Sequence, residues 1–139
     1  MPPRLELEGW REKYGVVGGI TGADGDFDLA LWGENHAGRV MSSWHLFQES
    51  FRTGFRQFVV GHQVHGTSVG VNEGAGQGLL VREGFDGHAT AVPGVLLIVL
   101  VADCVPVYLL NPNSKAVVLV HAGWRGTAAG MLEAGVNQL

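Results

Sequence analysis

Val105-Pro106-Val107-Tyr108-Leu109-Leu110 and Ala116-Val117-Val118-Leu119-Val120 flank Asn111-Pro112-Asn113-Ser114. Two apolar, β-branched-rich runs around a turn-forming cluster predict an antiparallel hairpin. With the turn centred on Pro112 and Asn113, Cys104 and His121 stand opposite each other at its open end. A thiol and an imidazole then meet through one local element. Upstream, Val95–Val101 is uninterrupted and β-branched-rich, the pattern of a strand buried on both faces. Downstream, Thr127–Leu139 predicts a helix that begins after Gly126, with Met131, Leu132, Ala134 and Val136 on its apolar face.

Further out, Val40, Trp44, Phe47 and Phe51 recur at helical spacing, which predicts a helix over Ala37–Arg52 ended by Gly54. The first fifteen residues are polar and helix-compatible. Short strands are expected at Tyr14–Thr21, Phe27–Trp32, Gln57–Val60, Ser68–Val71 and Leu79–Arg82. The glycine-rich loop Asn72–Gly78 reads as a mobile connection. Strands and helices mix without strict alternation, so the fold class is α/β with a mixed sheet. The length of 139 residues predicts one domain over 1–139.

Composition narrows the function classes. Charged residues make up only 16%, the net charge is −4, and no Lys/Arg cluster exists, which argues against nucleic-acid or anionic-membrane binding. The longest apolar run, Val95–Ala102, is too short to span a bilayer. No apolar signal segment opens the chain, and the single cysteine cannot form an internal disulfide. A soluble cytoplasmic protein is expected. Glycine is abundant, 22 residues in all, which leaves many places for close backbone approach.

Reactive residues end apolar strands in three segments: Gly61-His62-Gln63-Val64-His65-Gly66, Ala102-Asp103-Cys104-Val105-Pro106-Val107 and His121-Ala122-Gly123-Trp124-Arg125-Gly126-Thr127. One cysteine and two histidines suit Zn²⁺, and three protein ligands leave a fourth position open for catalysis. Gly66, Gly123 and Gly126 leave room for a substrate. A helix starting near Gly126 or Thr127 would favour an anion there, and Arg125 would grip phosphate or carboxylate. Spacing alone also allows Cys104 to be a small buried hydrophobe and the histidines ordinary polar groups. His36 and His45 read as exposed. Of His62 and His65, at most one can face the site, because in a strand they point to opposite sides.

Gln63-Val64-His65-Gly66, Asp86-Gly87-His88-Ala89-Thr90, Ala102-Asp103-Cys104-Val105-Pro106-Val107 and His121-Ala122-Gly123-Trp124-Arg125-Gly126-Thr127 occur in that order. From Gly15 onward the chain resembles the multicopper polyphenol oxidase, laccase-domain or peptidoglycan-editing family. Its members are described as purine nucleoside phosphorylases that also deaminate adenosine. The resemblance implies a Zn²⁺ held by His65, Cys104 and His121. It also implies phosphorolysis of adenosine, inosine and methylthioadenosine, with purine nucleoside and phosphate as partners. Asp103 and Arg125, inside the motifs, are implied as contacts to the metal ligands or to the substrate. The implied fold is a YfiH-like α/β sandwich of mixed sheets. Family members run longer, so an incomplete copy is expected, with exposed apolar surface beside Thr127–Leu139 that drives self-association or lowers stability.

Six histidines and one cysteine are too few for a laccase copper set, so zinc is expected rather than copper. Two other readings fit the same residues. One is a metal-free cysteine hydrolase or amidase with Cys104 as nucleophile and His121 as base. The other is an inactive fragment that only binds a partner.

Overall fold

The computed structural model describes residues 2–33 and 36–139. The chain divides into two compact units, one ending at Arg52 and one running Thr53–Leu139.

In the first unit, β1 (Arg4–Glu6) pairs antiparallel with β2 (Gly19–Thr21), with the short helix α1 (Trp10–Tyr14) between them. The expected helical start is thus a strand and one helical turn. Gly9 and Gly15 frame α1 at φ 75° and 69°, in the left-handed region that ends a helix at minimal cost. The helix α2 (Ala37–Phe51) matches the expected stripe closely. Val40, Trp44 and Phe47 are buried, and Phe51 tilts against Phe47 with ring centroids 4.9 Å apart. His36 and His45 are exposed, as expected. The segment Phe27–Trp32 forms no strand. Its polar groups bond α2 instead: Asp28 N–H donates to Ser43 Oγ at 2.9 Å, and Leu29 C=O accepts from Trp44 Nε1 at 3.0 Å.

The second unit holds two sheets. In one, β3 (Gln57–His62) lies between β5 (Gly78–Glu83) and β7 (Val95–Ile98), all parallel. Phe58, Val59 and Val60 bury the centre of β3. The other sheet has the order β4 (Val69–Val71), β6 (Gly87–Thr90), β9 (Val117–Ala122), β8 (Val105–Leu110). There β4 is parallel to β6, and the remaining pairs are antiparallel. The α/β class with a mixed sheet, here the four-stranded one, is as the sequence predicts, while the three-stranded sheet is wholly parallel. The sheets approach closely at Gly61, where a Cβ would overlap the Phe85 carbonyl.

Several details differ from expectation. The strand β7 stops at Ile98 and pairs only with β3, so it is an edge strand. Beyond it, the Gln63 side chain takes over the Leu100 backbone: Nε2 donates to Leu100 C=O at 2.8 Å, and Oε1 accepts from Leu100 N–H at 2.7 Å. The loop after β4 is tied rather than free, since Arg56 donates to Gly74 C=O and Gln57 to Ala75 C=O. The helical C-terminal segment starts earlier than predicted and is broken. It comprises α3 (Trp124–Ala128) and α4 (Met131–Val136), separated by Gly130 at φ 98°. Met131 is fully buried against Ala89, Val118 and Val120, whereas Leu132 and Val136 face solvent. Gly135 packs beneath Leu109 and Val120, where any side chain would crowd them.

The hairpin forms, with a different register: Pro106, not Cys104, opposes His121. The loop is longer than a turn centred on Pro112 and Asn113. Asn111 and Ala116 still bond each other, Lys115 adopts φ 64°, and Asn111 Oδ1 accepts from the N–H groups of Asn113 and Ser114. The resulting slip is two residues. Because side chains alternate with period two, Cys104 stays on the face of His121.

Candidate metal centre

His121 is the penultimate residue of β9, where its pairing with Pro106 of β8 and the bond from its N–H to Asp86 C=O, just before β6, fix its backbone. It is 3% exposed. Cys104 lies in the bend just before β8, diagonal to His121, and is partly exposed. His65 follows β3 in a loop, at φ 59°, a left-handed conformation that a non-glycine residue adopts only when its surroundings hold it there. Its N–H donates to Asp86 Oδ2 at 2.9 Å. One nitrogen from each imidazole and the Cys104 sulfur all lie within 4.8 Å of one another. The two rings are 5.1 Å apart and nearly perpendicular, at 70°.

The group is a possible metal site, and one sulfur with two imidazole nitrogens is a donor set that suits a zinc ion. Gly123 sits in the gap, its Cβ position 3.1 Å from Cys104 Sγ and 3.3 Å from His65 Cδ2. Glycine therefore lets the chain pass between the two donors. His62 is not part of the group; its Nδ1 pairs with Glu83 at 2.6 Å.

Asp86 received no role from the sequence beyond its place in a motif. It is fully buried, and its carboxylate accepts from Val64 N–H (2.8 Å) and Gly66 N–H (3.1 Å) on Oδ1. On Oδ2 it accepts from His65 N–H (2.9 Å) and His121 Nδ1 (2.8 Å). Burial pushes its carboxyl up, but the bonds from Val64, His121, Gly66 and His65 outweigh that and hold it below the ordinary carboxylate value. Its signal in the sequence is its place at the head of Asp86-Gly87-His88-Ala89-Thr90, while its partners lie 20 to 35 residues away along the chain.

The other expected site residues are more peripheral. Asp103 is exposed in the bend beside Cys104. Arg125 is exposed and stacks on Trp124, its guanidinium carbon 5.1 Å from the ring centroid. Trp124 is 78% exposed, so it is no core residue. The helix near the site begins at Trp124, with Gly123 as its N-cap, rather than at Gly126 or Thr127.

A family model described as multi-copper polyphenol oxidoreductase laccase matches residues 14–139. The chain is 41% identical over 99 residues to "Purine nucleoside phosphorylase YlmD" of Geobacillus stearothermophilus, a match covering 67% of this chain and 34% of that protein. It is 39% identical over 57 residues to "Adenosine deaminase RL5" of an unknown prokaryotic organism, across 41% of this chain and 22% of that protein. Among solved structures, the hypothetical protein YfiH of Bacillus licheniformis superposes with a TM-score of 0.87 at 25% identity, over 99% of this chain and 55% of that one. The chain therefore spans 34% of the YlmD sequence and 55% of the YfiH structure.

Proposed function

Starting from the multi-copper polyphenol oxidoreductase laccase family, to which this chain belongs, we propose that it carries the metal centre of a zinc-dependent purine nucleoside phosphorylase with adenosine deaminase activity. The observation that carries this reading is the convergence of His65, Cys104 and His121 within 4.8 Å. The names of the relatives supply the substrate class. Residues 1–139 are read as part of one such domain, acting in the cytoplasm, with a purine nucleoside and phosphate as substrates. No helix among the described residues is long and apolar enough to cross a membrane.

When bound, zinc supplies a Lewis acid or a water that ionises near neutral pH. His65, Cys104 and His121 would hold it. Arg125, beside Trp124, is assigned the grip on phosphate, and Asp103 a polar contact to the nucleoside. In phosphorolysis the bond between ribose C1′ and the base breaks, a phosphate oxygen takes its place, and the base leaves with a proton. In this reading Cys104 and the two histidines act only as ligands, and zinc rather than copper is inferred from the small donor set. Self-association through the exposed Leu132 and Val136 belongs to the same reading, with sedimentation as its test.

A second reading has an observation in its favour. Asp86, His121 and Cys104 stand in the order of an orienting acid, a base and a thiol nucleophile, as a metal-free cysteine hydrolase requires. That reading gives His65 no task.

Elemental analysis and a base-release assay with and without phosphate test the proposal. Bound zinc and phosphate-dependent release are expected, with both lost in Cys104→Ala. Equal zinc in wild type and variant would refute the ligand assignment. Activity that survives metal removal would favour the cysteine hydrolase, and absence of any base release would favour the binding-only reading.

A further inference from the structure

Two of the three candidate ligands touch one side chain that is not itself a ligand. Asp86 accepts from the His121 ring at 2.8 Å and from the His65 backbone at 2.9 Å. It also accepts from the N–H groups on either side of His65, those of Val64 and Gly66. Each oxygen thus receives two N–H donors, which fills the four acceptor positions of a carboxylate. A further bond ties the backbones, since Asp86 C=O accepts from His121 N–H at 2.7 Å. Asp86 and His121 are therefore joined at main chain and side chain together.

We propose that Asp86 is the positioning residue of this centre, fixing the His121 tautomer and the His65 loop at once. A carboxylate whose oxygens are already occupied by backbone donors can only accept from His121, so Nδ1 carries the proton. Nε2 is left with the lone pair that a metal needs. The same carboxylate holds the left-handed turn at His65 by its N–H, so a second donor is placed through its backbone. Its role is distinct from that of a ligand: it acts on the metal only through residues it orients. The inference rests on the metal reading above, and its test separates the two.

The first measurement needs no metal. Long-range ¹H–¹⁵N NMR of the wild-type protein should show His121 protonated at Nδ1 and unprotonated at Nε2; the opposite tautomer would overturn the proposal. The second uses Asp86→Asn, whose side-chain amide can donate to His121 Nδ1 and thereby move the ring proton to Nε2. Zinc affinity, read by competition with a chromogenic chelator, should fall by about 10–100-fold. The ¹⁵N pattern of His121 should invert alongside. A residue that merely stabilised the fold would leave tautomer and affinity unchanged in the folded variant, and that result would also overturn the proposal. Should Asp86→Asn not fold, the wild-type tautomer still decides. A wild-type protein that binds no zinc but shows the expected tautomer would defeat the metal reading while leaving the Asp86–His121 assignment standing.

Discussion

His121 on β9 and His88 on β6 are buried in the same four-stranded sheet, at 3% and 0% exposure. His121 gives Nδ1 to Asp86. His88, two residues after Asp86, has no hydrogen-bond partner for either ring nitrogen among the described residues. Burial, followed by the nearby Arg82 charge, pushes the His88 imidazole down to about 4, against a smaller upward pull from Asp86. It is a buried ring whose two nitrogens make no hydrogen bond. The contrast shows that burial alone does not mark a functional histidine here. The mark is a buried acceptor that dictates which nitrogen is free.

The largest effect expected from breaking this contrast is that of Asp86→Ala. It would strand the N–H groups of Val64, His65 and Gly66 and the His121 ring together. Orphaned buried groups cost about 1–3 kcal/mol each, discounted here for the partly exposed loop, so a loss of about 4 kcal/mol is expected in urea unfolding. A loss below about 1 kcal/mol would place Asp86 on the same energetic footing as His88 and erase the distinction.

A pH titration of stability addresses the other histidine. The His88 pKa drops from the ordinary 6.5 to about 4 on folding. Above 6.5 the ring is neutral in both states and contributes no pH dependence. As pH falls from 6.5 towards 4, the unfolded chain takes a proton that the native one refuses. Stability then declines by about 1.4 kcal/mol per pH unit, about 3 kcal/mol in all. Asp86 acts in another window: with a folded value below 3.8, its contribution is full above 3.8 and is lost only at lower pH. His88→Leu should therefore flatten the decline between 6.5 and 4 and leave stability at pH 8 equal or higher, since an apolar residue replaces an unpartnered ring. A variant that still followed the wild-type curve would show that His88 is not the group responsible.

The same contrast explains what could be read along the chain. The α2 stripe is legible because Val40, Trp44 and Phe47 repeat within one helix. The strands of the hairpin are legible too, but Lys115 in a left-handed conformation shifts the register by two residues. The predicted pairing of Cys104 with His121 fails, while their shared face survives because the sheet repeats every two residues. By contrast, β6 has the sequence Gly-His-Ala-Thr, with little strand preference, and becomes a strand through pairing with both β4 and β9. Asp86 was hidden for the same reason, as its acceptor role exists only once segments 20 to 35 residues away are in place. The break in the last helix was open to view at Gly130, yet the apolar residues beyond it suggested continuity.

The smallest effect separates how donors are spaced from how they are oriented. Gly123 has φ −85°, so alanine is conformationally permitted. Its added methyl would meet Cys104 Sγ at 3.1 Å and His65 Cδ2 at 3.3 Å, close enough that both must yield by a few tenths of an ångström. Both side chains are at least partly exposed and can do so, whereas His121 is held by Asp86 and cannot follow. Gly123→Ala should thus weaken zinc binding on the order of tenfold, about 1.4 kcal/mol, in chelator competition. Loss of the glycine N-cap should lower unfolding stability by no more than about 1 kcal/mol. The His121 tautomer should stay as in the wild type, because its partner is untouched. An unchanged affinity would mean that Cys104 and His65 do not close on the same ion, and a changed tautomer would mean that Asp86 does not hold His121 independently of the other two.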